Sequence, residues 1–113
     1  MTINDLVAYG ADTKEGLIRC MNNEAFYLQM VKMSTEDPNF QKLFDAIEAG
    51  NLASAFDAAH ALKGLTGNLA LTPLTDQLCE ITELLRVRKE ADYAALIVPI
   101  RKNYEALKAL CTE

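Results

Sequence analysis

Apolar residues recur three and four positions apart through most of this chain, and this spacing constrains its fold more than any other feature. One such stripe consists of Phe40, Leu43, Phe44 and Ile47. These residues would share one face of an α-helix, which turns once every ~3.6 residues. The alternation of apolar and polar residues that is typical of a half-buried strand is missing, as are the dipeptides of tight hairpins. The sequence therefore predicts an all-α fold.

Residues that start and stop helices divide most of the chain into four segments. Asp37-Pro38 and Thr72-Pro73 each combine a capping side chain with a proline, which is favoured at the first helical position. Gly50 is suited to ending a helix, because glycine adopts the left-handed conformation that occurs there. We predict four main helices, over roughly residues 37–49, 51–69, 73–89 and 92–111. Since short loops favour antiparallel neighbours, we expect an antiparallel up-down four-helix bundle.

Three more start signals precede this bundle. Thr2 with Asp5, and Asp12 with Glu15, have the spacing of a capping box, and Asn23 is a third capping residue. The sequence therefore predicts additional short N-terminal helices that cover one end or one side of the bundle.

Size and charge limit the functions that the chain can have. The 113 residues fit one domain, residues 1–113, and half of them are apolar. A net charge of −5 repels a phosphate backbone, and no basic stripe is present, so nucleic-acid binding is not expected. Neither a signal peptide nor an apolar run of ~20 residues is found, so we expect no membrane association. Met1 and the lack of flanking linkers favour a free-standing protein.

The three cysteines, Cys20, Cys79 and Cys111, have no metal-ligand spacing. We interpret them as reduced thiols that pack as small apolar residues, which fits a cytoplasmic protein.

The stretch AFDAAHALKGLTGNLAL, residues 55–71, holds the only histidine of the chain, His60. Helical spacing places His60 away from the apolar stripe of its helix, among small residues that include Gly64 and Gly67. An interior helix glycine costs about 1 kcal/mol relative to alanine. What these glycines provide is clearance, because a partner can approach the helix backbone closely beside His60.

The residues alone leave a histidine that simply faces solvent as an open alternative. A metal site is disfavoured, since Asp57-x-x-His60 occurs once and di-iron bundles need two such pairs. A hydrolase would need a nucleophile near His60, and helical spacing supplies none.

The segment AHALKG, from Ala59 to Gly64, resembles the phosphorylated motif of histidine-containing phosphotransfer (HPt) domains of multistep phosphorelays. The resemblance implies that His60, on a helix over about residues 51–69, accepts a phosphoryl group from an aspartate of a receiver domain and passes it to another receiver. It further implies that Lys63 stabilises the phosphoryl group, and that Gly64 and Gly67 leave space for the receiver. The family often has a small residue or asparagine where Asn68 lies.

One position departs from the family pattern. HPt domains commonly have glycine ten residues after the histidine, where this chain has Ala70. Because alanine is small, we expect only slightly weaker packing at the end of the helix.

The resemblance also defines partners and cofactors. It implies a phosphocarrier without kinase activity and with no cofactor of its own, while Mg²⁺ is bound by the partner receiver. Receiver domains are the expected partners, a hybrid sensor histidine kinase is a further candidate, and the protein is expected to be a monomer. The alternative is an interaction module that binds a receiver or kinase without phosphotransfer.

Two other groups of residues are candidates for the site. Arg86 could hold phosphate, although a surface arginine is usually only solvated. It lies off the apolar stripe of its helix, as do Thr75, Cys79 and Thr82. A receiver could dock on an apolar collar, although aromatic residues at helical spacing more often pack in the core. The collar candidates are Phe26, Met30 and Met33.

Overall fold

The computed structural model describes residues 1–112. These residues form helices and connecting turns without a strand, so the all-α prediction is confirmed. The helices are α1 (Ile3–Tyr9), α2 (Thr13–Arg19), α3 (Glu24–Thr35), α4 (Asn39–Ala49), α5 (Leu52–Asn68), α6 (Thr72–Arg86) and α7 (Tyr93–Cys111).

The last four helices form the predicted bundle. Helix α5 packs against α4 and α6, α6 packs against α7, and α7 packs against α4, so that the four helices enclose one core. The α4–α5 and α5–α6 connections span only residues 50–51 and 69–71. Connections this short reverse the chain direction, which makes these neighbours antiparallel.

Small side chains on α5 let its neighbours approach closely. Ala55, Ala59, Leu62 and Thr66 are all fully buried and form the inner stripe of this helix. Helices α4 and α6 complete the core with larger side chains. Those buried on these two helices are Phe40, Leu43, Phe44, Leu74, Leu78, Ile81 and Leu85.

The N-terminal helices close one side of the bundle. Helices α1 and α2 have 7 residues each, whereas α3 has 12 and packs along α7. Tyr27 of α3 is fully buried. The hydroxyl of Tyr9 on α1 donates a hydrogen bond to Asn103 of α7. The side-chain amide of Asn103 in turn donates to Gln77 of α6, at 3.2 Å.

Most of the predicted caps are present. Thr2 and Asp5 form a reciprocal capping box. Asn23 accepts a hydrogen bond from the main-chain amide three residues later. Asn51 and Asp92, where two of the predicted helices begin, each do the same. Local side-chain chemistry was therefore sufficient to locate these starts.

Three predicted helix starts differ from the structure in detail. Asp12 accepts from the Glu15 amide, but the Glu15 carboxylate pairs with Arg19 instead of completing a box. The Asp37 carboxylate accepts from the amide of Asn39, where α4 begins. Thr72 does not cap α6 but lies within it.

Helix α6 ends at Arg86 rather than at residue 89. Arg88 adopts a left-handed conformation, with φ of 53°. The main-chain amides of Arg88 and Lys89 then bond back to the carbonyls of Leu85 and Leu84. This is the Schellman pattern that ends many helices, and it usually has glycine where Arg88 stands. The missing glycine explains why the predicted helix was too long.

Candidate functional site

Helix α5 carries His60 on the face opposite its buried stripe. His60 is exposed, and so are Ala53, Asp57 and Gly64, which surround it at helical spacing. The exposure of the imidazole agrees with the prediction from periodicity. Its ring nitrogens can therefore be reached by another molecule without a change in the fold.

The two glycines near His60 have different surroundings. A Cβ atom added to Gly64 would have no neighbour within 4 Å, so the surface beside His60 is open. A Cβ atom added to Gly67 would lie 3.7 Å from the methyl group of Thr75 on α6, which is ordinary contact. Gly67 also accepts a hydrogen bond of 2.6 Å at its carbonyl from Arg19 of α2. Only Gly64 borders open space in the way that clearance requires.

Lys63 lies one helical turn after His60 and is half-buried. Within residues 1–112, no carboxylate lies within ion-pair distance of its ammonium group. The charge of Lys63 therefore remains available to an anion bound at His60.

An aromatic stack supports the imidazole from the other side. Phe56, one turn before His60, stacks with it at a centroid distance of 5.7 Å and an interplanar angle of 16°. The guanidinium carbons of Arg86 and Arg88 lie 5.2 and 5.6 Å from the centre of the same phenyl ring. Arg86 also pairs with Glu83 at 3.4 Å, and both side chains are largely exposed. The structure thus brings Arg86 to the vicinity of His60, through Phe56.

The other residues on this face of α6 do not form part of the site. Thr82 was expected off the apolar stripe, but it is fully buried, and its hydroxyl has no partner among the described residues. Thr75 donates a hydrogen bond of 2.9 Å to the Thr66 hydroxyl, which joins α6 to α5. Cys79 is half-buried. Because Thr82 is fully buried, its side chain is not available to a molecule that binds at the surface.

The expectation that Phe26 belongs to the core is wrong. Its side chain is 39% exposed and that of Met33 is 53% exposed, while Met30 is half-buried. Tyr27 occupies the core position instead. A shallow cleft at the end of α5 adjoins these side chains. It is lined by Arg19, Cys20, Phe26, Met30, Asn68 and Leu69.

Asn68 lies at this cleft rather than beside the imidazole. It lies eight positions after His60, which corresponds to about 12 Å along the helix. Asn68 is exposed and faces the apolar collar candidates, Phe26 and Met30. Its position fits contact with a docked partner better than contact with a phosphoryl group on His60.

Ala70, which replaces the family glycine, has an unexpected backbone conformation. Its φ is 55°, in the left-handed region that favours glycine. The amides of Ala70 and Leu71 bond back to the carbonyls of Gly67 and Thr66, which ends α5 in the Schellman pattern. The departure from the family glycine therefore affects backbone strain, whereas we expected an effect on packing.

Sequence reasoning missed Phe56 and Arg88. Phe56 could have been found, because a residue four positions before His60 lies directly beside it on a helix. Arg88 could not, since its approach to Phe56 depends on the left-handed turn after α6.

Two other properties bear on possible ligands. Among residues 1–112, no group of three histidine, cysteine or acidic side chains is arranged to hold a metal ion. None of the helices in that part of the chain is both long and apolar enough to cross a membrane. The chemistry available at His60 is that of an exposed imidazole with nearby cations.

Comparison with known proteins identifies the class to which this helical bundle belongs. The family model of the Hpt domain matches residues 27–110, about three quarters of the chain. The chain therefore belongs to the Hpt domain family, and its role lies in phosphorelay signalling, in which Hpt domains interact with receiver domains. No curated protein and no solved structure matches the chain significantly.

Proposed function

We propose that His60 accepts a phosphoryl group from the aspartate of one receiver domain and passes it to the aspartate of another. The observation that carries this proposal is an exposed imidazole beside open space at Gly64. A receiver must bring its aspartyl phosphate to the helix surface. The open surface beside His60 at Gly64 permits that approach.

The transfer requires little from this chain beyond a positioned nucleophile. A lone pair of a neutral ring nitrogen of His60 attacks phosphorus, and the bond from phosphorus to the aspartyl oxygen breaks with its electrons on the carboxylate. The imidazole keeps its proton on the other nitrogen. In the second transfer an aspartate attacks phosphorus, and His60 leaves as neutral imidazole.

The remaining groups act on charge and on docking. Lys63 has no ion-pair partner among the described residues, so its ammonium group can neutralise phosphoryl oxygens as they approach. The apolar collar offers the exposed side chains of Phe26 and Met33 and the half-buried Met30, against which a receiver can pack. On this proposal the receiver supplies the carboxylate and Mg²⁺, and the chain acts as a monomeric carrier in the cytoplasm without kinase activity. A hybrid sensor histidine kinase is the proposed upstream partner.

The test is to incubate the protein with a receiver that carries a radiolabelled phosphoryl group. Label should appear on the protein and should be absent from the His60→Gln variant. Because His60 is exposed, the variant should keep its stability within about 0.5 kcal/mol. A complex with the receiver but no label on the wild-type protein would favour an interaction module instead. Label on His60→Gln would show that another residue is the acceptor.

A further inference from the structure

Phe56 lies at the centre of a group of side chains that come from separate parts of the chain. His60 is on α5 with it, Arg86 is the last residue of α6, and Arg88 follows that helix. From the ring-to-ring and ring-to-guanidinium distances, both guanidinium carbons lie no more than about 11 Å from the centre of the imidazole. Arginine side chains are long and flexible enough to cover the remaining distance to a group attached to His60.

Arg88 occupies a backbone position that favours glycine. Its φ of 53° is left-handed. Its guanidinium group donates a hydrogen bond to the Leu85 carbonyl, which folds the side chain back over the end of α6. The same side-chain conformation places the guanidinium group over Phe56. A glycine would make the turn without strain, but it would leave no cation there. Strained positions of this kind cluster at functional sites.

The charges on this side of the bundle suit an anion. The chain has a net charge of −5, yet Lys63, Arg86 and Arg88 all lie near His60. Within the described residues, Arg88 has no carboxylate at ion-pair distance, and the partner of Arg86 is the exposed Glu83. A phosphoryl group carries about two negative charges at neutral pH. The planar guanidinium group can donate two parallel hydrogen bonds to such oxygens.

We propose that Phe56 is a positioning residue, and that Arg88 binds the phosphoryl group once His60 carries it. Phe56 supports the imidazole by stacking and holds Arg86 and Arg88 beside it while the site is empty. An exposed cation–π contact is weak, whereas a hydrogen bond between guanidinium and phosphoryl oxygen is charge-assisted. Phosphorylation therefore draws the Arg88 guanidinium group from the phenyl ring and the Leu85 carbonyl to the phosphoryl group. This inference rests on His60 being the phosphoryl acceptor.

The first experiment follows the arginine side chains directly. The protein is phosphorylated with phosphoramidate, a small donor that needs no receiver, and the Nε–H signals of the arginines are recorded by NMR before and after. The Arg88 signal should shift on phosphorylation. Arg101 is the internal control, because its guanidinium carbon lies 4.3 Å from the Phe44 ring at the contact between α4 and α7. The Arg101 signal should not shift.

The second experiment measures the half-life of the phosphohistidine in variants. Phe56→Leu and Arg88→Gln should each shorten it about two- to fivefold, the effect expected for one lost ion contact in water. Phe56→Tyr keeps an aromatic ring and should restore the wild-type half-life. Arg101→Gln makes the same charge change elsewhere and should have no effect. Melting temperatures of all variants report any separate loss of stability.

The outcomes separate this inference from the proposed function. If His60 is phosphorylated but the Arg88 signal, like that of Arg101, does not shift, Arg88 does not bind the phosphoryl group. A shift of Arg86 alone would also contradict it. Equal phosphohistidine half-lives for the wild type and Phe56→Leu would show that Phe56 is not a positioning residue. If His60 is labelled neither by phosphoramidate nor by a phosphorylated receiver, the proposed function fails, and this inference fails with it.

Discussion

The hydroxyl of Tyr27 donates a hydrogen bond of 2.8 Å to the main-chain carbonyl of Leu69, the residue that follows α5. Arg19 of α2 donates in the same region, to the Gly67 carbonyl. Two side chains from the N-terminal helices thus bind main-chain carbonyls at the end of α5. Through Arg19, the region that precedes the family match is therefore tied to the helix that carries His60.

Gly16 is required by the position of Tyr27. A Cβ atom on Gly16 would lie 2.4 Å from atoms of the Tyr27 ring, which is fully buried and cannot turn aside. We expect Gly16→Ala to lower the free energy of unfolding by about 1–3 kcal/mol, as overpacking does. Urea unfolding measures this change. Gly64→Ala is the matched control, since it adds the same methyl group in open space and should raise stability by up to about 1 kcal/mol. A Gly16→Ala protein as stable as wild type would show that Tyr27 moves.

Stability should depend on pH through Tyr27. Burial, with smaller contributions from the nearby Cys20 and Asp12, raises the pKa of Tyr27 to about 12. In the unfolded chain a tyrosine has a pKa of about 10. Between these values the unfolded state loses the proton while the folded state keeps it. The contribution of Tyr27 to the free energy of unfolding should therefore be constant below about pH 10 and should fall as the pH rises from there towards about 12.

The measurement is urea unfolding of the wild type and of Tyr27→Phe, from about pH 9 to about pH 11.5. The variant should lose less stability across this range. Burial also raises the pKa values of Tyr9 and Cys111, so Tyr9→Phe measures the part of the remaining pH dependence that Tyr9 causes. Identical pH dependence of the wild type and Tyr27→Phe would contradict the prediction.

Gly64→Gln should separate a protein donor from a small one. The longer side chain points into open space and should leave the fold intact. It would stand one helical turn from His60, where a receiver has to pack. Transfer from a receiver should therefore fall much more than phosphorylation by phosphoramidate, and the ratio of the two rates is the measurement. Equal losses with both donors would indicate that Gly64 acts on the imidazole itself.

Ala70→Gly should stabilise the protein slightly. A left-handed conformation costs an L-residue about 1–2 kcal/mol, and glycine avoids that cost. Glycine also makes the unfolded chain more flexible, which lowers the free energy of unfolding by about 0.4–1 kcal/mol. The net gain measured by urea unfolding should lie between about 0 and about 1.6 kcal/mol.

Gly50→Ala is the reverse control for Ala70→Gly. Gly50 has a φ of 72° and no neighbouring atom within 4 Å of an added Cβ, so only the backbone conformation opposes alanine. This variant should lose stability. If Ala70→Gly is also less stable than wild type, the buried Ala70 methyl group matters more than the strain.

The prediction of the site succeeded where the residues share one helix. His60, Lys63 and Gly64 lie within five residues of α5, so helical geometry alone places them on one surface. The same geometry would have identified Phe56. The prediction was less successful across helices, as the burial of Thr82 and the exposure of Phe26 show. The neighbouring helices decide which residues beside the apolar stripe of a helix are buried. The apolar stripe of one helix does not show how closely those neighbours approach.

By itself, the sequence determined the helices, most of their starts and the outward direction of His60, because spacing and capping are local properties. Tertiary structure decided which side chains surround His60. The left-handed turn at Arg88 and the packing of α6 on α5 bring two guanidinium groups to Phe56. Tertiary structure also decided that Tyr27, rather than its neighbour Phe26, enters the core. Each of these outcomes depends on backbone conformations and interhelical distances set by residues far apart in the chain.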